Sequence, residues 1–309
     1  MPTWLEAGLW GLLGGGALVI GALIAWLTPV PARVVASVMA FGSGVLISAV
    51  AFDLMEEAAN TGGLTATAFG FLGGAGVYLA ANLMLARRGA RHRKRSGDQQ
   101  PSESEMSGSG AAIAIGALLD GVPESVVLGL GLLSGGSVSL SVLAAVFISN
   151  VPEGLSSAAG MKRSGRSARY VFGVWGGIAL ASGLAALLGY VFLGGAPPEA
   201  VAVITAIAAG AILTMIADTM IPEAFESTHA WTGLITTVGF LTAFAISLAC
   251  VRPCPSDRPG DGRRQNLRPG LQRARHVQRV RADRQHGHVV LDALAEHLGE
   301  QPVAEGLQR

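Results

Sequence analysis

Long apolar segments recur through the first 251 residues of this chain and restrict its fold more than any other feature. A helix of roughly 20 mostly apolar residues can cross the hydrocarbon core of a bilayer. Eight segments reach that length, at about 7–27, 32–55, 63–86, 111–134, 138–161, 169–194, 200–222 and 230–251. Only 14% of the residues are charged, against about 25% in a typical soluble domain. The sequence therefore predicts an all-α integral membrane protein with about eight transmembrane helices.

The basic residues are confined to one set of the predicted loops. Residues 1–251 contain 11 Lys and Arg: six in "RRGARHRKR" (87–95), four between residues 162 and 169, and Arg33. The loops that hold them all face the same side. Because cytoplasmic loops carry an excess of basic residues, we expect these loops in the cytoplasm and both termini outside. The protein is expected to be a multi-pass protein of the cytoplasmic (plasma) membrane.

Composition divides the chain into two parts. Residues 1–251 form the predicted transmembrane domain, and its polar loop at 87–109 is Ser/Gly-rich and expected to be mobile. Glycine-rich runs such as "FGFLGGAGVYLA" predict close helix contacts. Residues 252–309 contain 11 Arg and no Lys. This composition favours a disordered, dispensable tail over a basic arm for anionic lipid or nucleic acid.

Five acidic residues fall inside the predicted membrane helices, where an ionised side chain costs about 2.5 kcal/mol or more. They are Asp53, Asp120, Glu124, Glu153 and Asp218. No Lys, Arg or His occurs at matching depth in the predicted spans. We therefore expect that protonation, water or a bound cation, and not internal ion pairs, compensates these carboxylates.

Two similar stretches, "LLDGVPESVVLG" and "FISNVPEGLSSA", hold three of these acids. Asp120 and Glu124 are four residues apart and share one helix face. Ser149 and Asn150 precede Glu153 by four and three residues and share its face. The two helices are consecutive and antiparallel, so the spacing predicts one cation site built from these five residues.

Each stretch also contains a proline inside the helix. Pro123 leaves the carbonyl of Leu119 without its helical donor, and Pro152 does the same for Ile148. Broken helices are tolerated in a membrane where they line a polar cavity. The prolines therefore predict interrupted helices around the cation site.

Further acids lie towards the ends of the second and seventh spans. Asp53, Glu56 and Glu57 are expected near the outer mouth of a pathway. Asp218 and Glu223 are expected on the inward side. For Glu223 a solvated helix cap and a ligand at the exit are equally compatible with the sequence.

The stretches "DGVPES", "SNVPEG" and "IADTMIPEA" resemble signatures of the ZIP family of divalent-metal transporters, over about residues 7–250. Family members read H-N-x-P-E-G in the fourth span and commonly H/Q-D/N-x-P-E-G in the fifth. The resemblance implies a 3+2+3 bundle of eight helices with external termini. It matches Glu124 and Glu153 to the two bridging glutamates of the family. Asp120 and Asp218 replace histidines and Gly121 replaces an Asn ligand, so the resemblance implies a single, oxygen-rich metal site.

Transport of divalent metal ions into the cytoplasm is thus the predicted function, with zinc or a broad range of transition metals as substrate. The family favours zinc, whereas carboxylate and amide oxygens also suit Mn²⁺ and Fe²⁺, and Cd²⁺ is a further candidate. The alternative is a proton-coupled transporter of a small organic solute that uses the same acids. An enzyme is not expected, because the chain has no H-E-x-x-H motif and no intramembrane His. No prosthetic group and no nucleic-acid partner are expected; the partners are the metal ion and the lipid bilayer, and a homodimer is left open.

Overall fold

The structure is a computed structural model that describes residues 2–96, 100–102, 104–135 and 140–251. This part of the chain is helical: α1 Thr3–Leu27, α2 Ala32–Ala49, α3 Met55–Leu85, α4 Ser109–Gly135, α5 Leu140–Arg163, α6 Ala168–Leu193, α7 Pro198–Met215, α8 Ile221–Thr228 and α9 Trp231–Val251. Short π-helical segments cover Val50–Leu54, Ala86–Ala90 and Ile216–Met220. The tail predicted at 252–309 lies outside the described residues, so its disorder stays a prediction.

The helices are those of a multi-pass membrane protein. Within the described residues, seven helical segments are long and apolar enough to cross a bilayer. Large apolar side chains point outward from them, among them Leu64, Phe69 and Phe192, which are 75–80% exposed. Such surfaces are unfavourable in water and favourable against lipid. The prediction of a helical membrane protein is confirmed at this level.

One of the seven segments, Ala32–Ala90, is 59 residues long. At 1.5 Å per residue an unbroken helix of this length would measure about 88 Å, roughly three times the thickness of the hydrocarbon core. Gly63 interrupts it with φ 74° and ψ 165°, a conformation that glycine adopts readily. The sequence predicts two spans over the same residues. The predicted number of spans, eight, is therefore one larger than the number of helical segments, seven.

The helices pack in two sets. Helix α1 packs on α4, α5 and α6, and α4 also packs on α6. In the other set α3 packs on α7, and α2 packs on α8 and α9. Contacts of α2 with α5 and of α4 with α7 join the sets. The consecutive helices α4 and α5 hardly touch each other directly.

Glycines allow the closest helix contacts, as predicted. In three helix pairs, a Cβ atom on a glycine of either helix would collide with a backbone carbonyl of the other. These glycines are Gly21 and Gly154 between α1 and α5, Gly44 and Gly239 between α2 and α9, and Gly74 and Gly210 between α3 and α7. Small residues at such contacts let two backbones approach in lipid.

The two prolines do not interrupt their helices. Helix α4 continues through Pro123 and α5 continues through Pro152. The prediction of broken helices was therefore wrong at both positions, since a helix can absorb a missing N–H group when neighbouring groups support it. The π-helical segments occur elsewhere, and two of them contain the acids Asp53 and Asp218.

Candidate functional site

The five predicted ligands are all buried in the helix bundle. Asp120 and Glu124 on α4 are each 1% exposed. The residues on α5 are equally inaccessible: Ser149, Asn150 and Glu153 are at most 3% exposed. The predicted faces of the two helices therefore both point into the protein interior.

Asp120 binds an arginine from the polar loop. Arg93 donates from Nε to Oδ2 and from Nη2 to Oδ1 of Asp120, both at 2.8 Å. The Tyr78 hydroxyl donates to the same Oδ1 at 2.5 Å and accepts from Arg93 Nη2 at 2.8 Å. Asn82, one turn after Tyr78 on α3, accepts from Arg93 Nη1 at 2.8 Å. Arg93 is thus held in a bidentate, fully buried pair, the geometry for which guanidinium groups are well suited.

Lys94 joins the acids of the two helices. Its Nζ atom lies 2.8 Å from Glu153 Oε1 and 3.3 Å from Asp120 Oδ2. The Lys94 side chain is 3% exposed. One ammonium group therefore bridges a carboxylate of α4 and a carboxylate of α5, although these helices hardly contact each other.

These ion pairs overturn one expectation from the sequence. The prediction that no basic group reaches the depth of the acids was wrong, because Arg93 and Lys94 come from a loop and not from a span. Gly89, at φ 99°, redirects the chain after α3, and residues 91–96 then return towards the bundle. We call residues 91–96 the basic segment. Long basic side chains reach inward, and the carboxylates compensate the cost of their burial.

Arg93 stays charged in this setting. Burial by itself would lower the pKa of its guanidinium, but the attraction and hydrogen bonds of Asp120 outweigh burial, and the pKa is raised above its ordinary value. A neutral arginine is therefore not an alternative description of the site.

Glu124 differs from the other acids of the cluster. It is buried beside Glu153, Asp120 and Lys94, with the Asn150 side chain as a nearby donor, yet neither of its carboxylate oxygens makes a hydrogen bond of good geometry to the described residues. A buried polar group without a partner is costly. Glu124 is therefore the member of the cluster that is available to a ligand.

Ser149 and Asn150 bind backbone carbonyls. The Ser149 hydroxyl donates to Val146 at 3.0 Å within α5. The Asn150 amide donates across to Gly14 of α1 at 3.0 Å. These bonds anchor α5 and orient the two side chains, and they leave the predicted ligand role of both residues untested.

The predicted ligands do not form a ready-made metal centre in this conformation. Among the described residues, no group of three or more His, Cys, Asp and Glu is arranged to hold a metal ion. The physical reason is visible in the ion pairs: Arg93 occupies Asp120, and Lys94 lies between Asp120 and Glu153.

A second buried acid binds the end of the basic segment. Glu223 Oε1 accepts from the backbone N–H and the hydroxyl of Ser96 at 2.9 and 2.8 Å, and the Ser156 hydroxyl lies 3.0 Å away. Arg95 Nη1 lies 3.6 Å from Glu223 Oε2 and 2.5 Å from Glu226 Oε2. Glu223 is 3% exposed. A solvated cap, one of its two predicted roles, is therefore wrong.

The basic segment is also held from its other side. Gln100 donates from Nε2 to the carbonyls of Arg93, Arg95 and Ser157 at 3.0–3.1 Å. The Ser156 hydroxyl contacts the carbonyl of Lys94. The described residues around the segment are thus docked on α5, while the predicted mobility of the whole 87–109 loop stays a prediction.

The acids predicted for the ends of the pathway lie in different surroundings. Asp53, Glu56 and Glu57 line one cavity of about 420 Å³ between the helices, and this cavity reaches Val127, three residues beyond Glu124 on α4. Glu57 also lines a neighbouring cavity of about 380 Å³. Asp218 is exposed, and its Oδ2 accepts from Asn82 at 3.3 Å.

Sequence reasoning missed Tyr78, Asn82, Arg93 and Lys94. A signal existed for the first two, since two polar side chains four residues apart on the apolar α3 mark a polar helix face. For Arg93 and Lys94 the sequence offers six similar basic residues within 87–95, and only the fold selects two of them.

No protein-family model matches this chain, and no curated protein sequence matches it. The class that the structure itself defines is a helical multi-pass membrane protein with a buried cluster of carboxylates and basic groups.

Proposed function

We propose that this protein transports divalent metal ions across the membrane, in the manner of the ZIP transporters that its motifs resemble. The observation that carries the proposal is the Lys94 ammonium, held between Asp120 on α4 and Glu153 on α5. Carboxylates from two helices converge on one cationic group in the interior. Acids at such depth are expensive, and functional sites for cations and protons are where they occur.

The proposed topology is the 3+2+3 bundle of eight spans with both termini outside and the basic loops in the cytoplasm. Two features support it. Gly63 divides the 59-residue segment into two lengths that each suit one crossing. Helices α1, α4, α5 and α6 pack as one set, as expected if that set rocks against the other helices around a fixed site.

The ion is proposed to enter from outside past Asp53, Glu56 and Glu57. The cavity that these acids line reaches Val127 on α4, three residues after Glu124, and negative walls concentrate cations. The inward route would follow Asp218 and Glu223. The ligand atoms are oxygens throughout, so Zn²⁺, Mn²⁺, Fe²⁺ and Cd²⁺ are all candidate substrates.

The test is metal uptake into proteoliposomes that contain the full chain. Flux of Zn²⁺, Mn²⁺, Fe²⁺, Cd²⁺ and Mg²⁺ is compared between the parent, a Glu124→Ala/Glu153→Ala variant and Glu105→Ala, an exposed acid outside the helices. We expect uptake of at least one ion by the parent and Glu105→Ala, and loss of uptake in the double variant. Equal flux in the parent and the double variant would refute the site.

An absence of flux for every divalent ion would point instead to the proton-coupled solute transporter. In that case Glu124→Gln should abolish proton movement coupled to an organic solute.

A further inference from the structure

The contacts of the basic segment follow one pattern. Four consecutive residues each meet a carboxylate of the helices: Arg93 meets Asp120, Lys94 meets Asp120 and Glu153, Arg95 meets Glu223 and Glu226, and Ser96 meets Glu223. A solvated basic loop would not show such an unbroken run of contacts with carboxylates. The segment is complementary to the acids of the bundle.

Two of these residues bring positive charge into the interior. Arg93 and Lys94 are 1% and 3% exposed. Burial of an unpaired cation carries a large desolvation penalty, so these side chains can stay inside only while the carboxylates face them. The reverse also holds, because Asp120 and Glu153 would be uncompensated if the segment left and nothing replaced it.

Lys94 occupies the space that a bound ion would need. Its Nζ lies 3.3 Å from Asp120 Oδ2 and 2.8 Å from Glu153 Oε1. A divalent cation bound by the same two oxygens, at about 2.0–2.2 Å, would overlap the ammonium group. The docked segment and a metal ion at these oxygens therefore exclude each other.

We propose that Arg93 and Lys94 are a tethered counter-cation that fills the carboxylate site when it is empty and is displaced by the transported ion. Together the two side chains carry two positive charges, the charge of one divalent cation. Exchange of the pair for such an ion leaves the net charge of the site unchanged. Glu124 is buried, and among the described residues it has no ion pair with Arg93 or Lys94 and no hydrogen bond of good geometry, so it is the carboxylate left for the incoming ion.

This inference rests on the proposed function, because it names how the same site is regulated and which charge it selects. A monovalent cation would leave one buried carboxylate uncompensated, so the pair favours divalent substrates. The docked segment also competes with the ion, so the apparent affinity is the intrinsic affinity multiplied by the fraction of molecules in which the site is free.

The geometry at both ends of the segment suits such an exchange. Gly89 precedes it with a positive φ that glycine tolerates. At the other end, the side-chain amide of Gln100 donates to the Arg93 carbonyl of the segment and to the Ser157 carbonyl of α5, and so links the two backbones. Release of the segment must also break the side-chain contacts of Arg93, Lys94 and Ser96 with the helix carboxylates, and the incoming ion compensates those carboxylates in turn.

Equilibrium binding of Mn²⁺ to the full chain in detergent, followed by electron paramagnetic resonance, tests the proposal. We expect Lys94→Gln to bind Mn²⁺ about tenfold more tightly than the parent, because the competitor is weakened. Lys94→Arg keeps the charge, and Arg91→Gln removes an exposed charge of the same segment. For both variants we expect a dissociation constant for Mn²⁺ within about threefold of the parent value, because the competitor is kept.

The outcomes separate the two proposals. If the parent binds and transports Mn²⁺ but Lys94→Gln binds it equally or more weakly, the counter-cation is refuted and the transport function stands. If neither the parent nor any variant binds or transports a divalent ion, the proposed function fails, and the counter-cation fails with it.

A second measurement does not depend on the folding of Lys94→Gln. Ser96→Cys is introduced into a chain whose own cysteines are replaced by serine, and maleimide labelling is followed with and without Mn²⁺. Ser96 is 8% exposed in the docked segment, so we expect labelling to rise severalfold when Mn²⁺ displaces the segment. Arg91→Cys, already exposed, should label equally in both conditions. Labelling of Ser96→Cys that saturating Mn²⁺ leaves unchanged would overturn the proposal.

Discussion

The ammonium group of Lys94 lies 2.8 Å from the carboxylate of Glu153, and both side chains are at most 4% exposed. Lys94 belongs to a polar loop, whereas Glu153 lies near the middle of an apolar helix. The Lys94 ammonium compensates the buried Glu153 carboxylate, which the helices alone would leave uncompensated. It makes the loop part of the candidate site.

Removal of either partner should destabilise the protein. Lys94→Met leaves the buried Glu153 carboxylate unpaired, which costs about 3–5 kcal/mol. Glu153→Gln leaves Lys94 paired with Asp120 alone and should cost less. The double variant Lys94→Met/Glu153→Gln should lose less than the sum of the two single changes. Thermal unfolding in detergent measures all four proteins as a double-mutant cycle. Strictly additive losses would contradict the pairing.

Tyr78→Phe should weaken the docking of Arg93. The hydroxyl donates to Asp120 and accepts from Arg93, and loss of a buried hydrogen-bonding group costs about 1–3 kcal/mol. Tyr190→Phe is the matched control, because Tyr190 packs against the apolar core. Tyr78→Phe should unfold at a lower temperature than Tyr190→Phe. Equal unfolding temperatures of the two variants would argue against the hydrogen-bond network around Asp120.

Gly74→Ala should disrupt the contact of α3 with α7. A Cβ atom at Gly74 would collide with the carbonyl of Ile207, whereas at Gly73 no described atom lies within 4 Å. Overpacking of this kind costs about 1–3 kcal/mol or more. Gly73→Ala on the same helix is the control and should unfold at the temperature of the parent. Similar losses in both variants would mean that the helices do not approach as described.

Neutralisation of the outer acids should impair ion capture. In Glu56→Gln/Glu57→Gln, the cavity that also contains Asp53 loses negative charge, and electrostatic focusing of cations falls. We expect KM for metal uptake to rise severalfold, more at low than at high ionic strength, with kcat little changed. Glu199→Gln, an exposed acid at the start of α7, should leave KM unaltered. A change in kcat alone would reject the entrance role.

His92 should titrate below its ordinary range. Burial, followed by the nearby Arg95 and Arg91, lowers the pKa of its imidazole below 6.5, against a weaker opposing effect of Glu226. The docked segment thus favours neutral His92, and an undocked or unfolded chain binds the proton more readily. Stability from this source is complete above pH 6.5 and is lost as the pH falls through the lowered pKa. Histidine-selective NMR, assigned with His92→Gln, measures the midpoint; a value at or above 6.5 would contradict the described surroundings.

Local sequence predicts some features of the site and not others. Burial of Asp120, Glu124 and Glu153 on inward faces follows from their spacing on two apolar helices, and this was predicted. The broken helices were wrong, because whether a proline interrupts a helix depends on neighbours that the local sequence does not reveal. The exposed state of Asp218 and the burial of Glu223 likewise depend on what packs beside them.

The membrane class, the glycine contacts and the positions of the acids follow from local sequence alone. Hydrophobic length and helical periodicity are local properties, and each can be read within about 20 residues. That Arg93 and Lys94, of the six basic residues in 87–95, face Asp120 and Glu153 depends on the packed fold. That choice depends on the turn at Gly89 and on the gap between α4 and α5, because an ion pair across 27 or 59 residues exists only once the helices have packed.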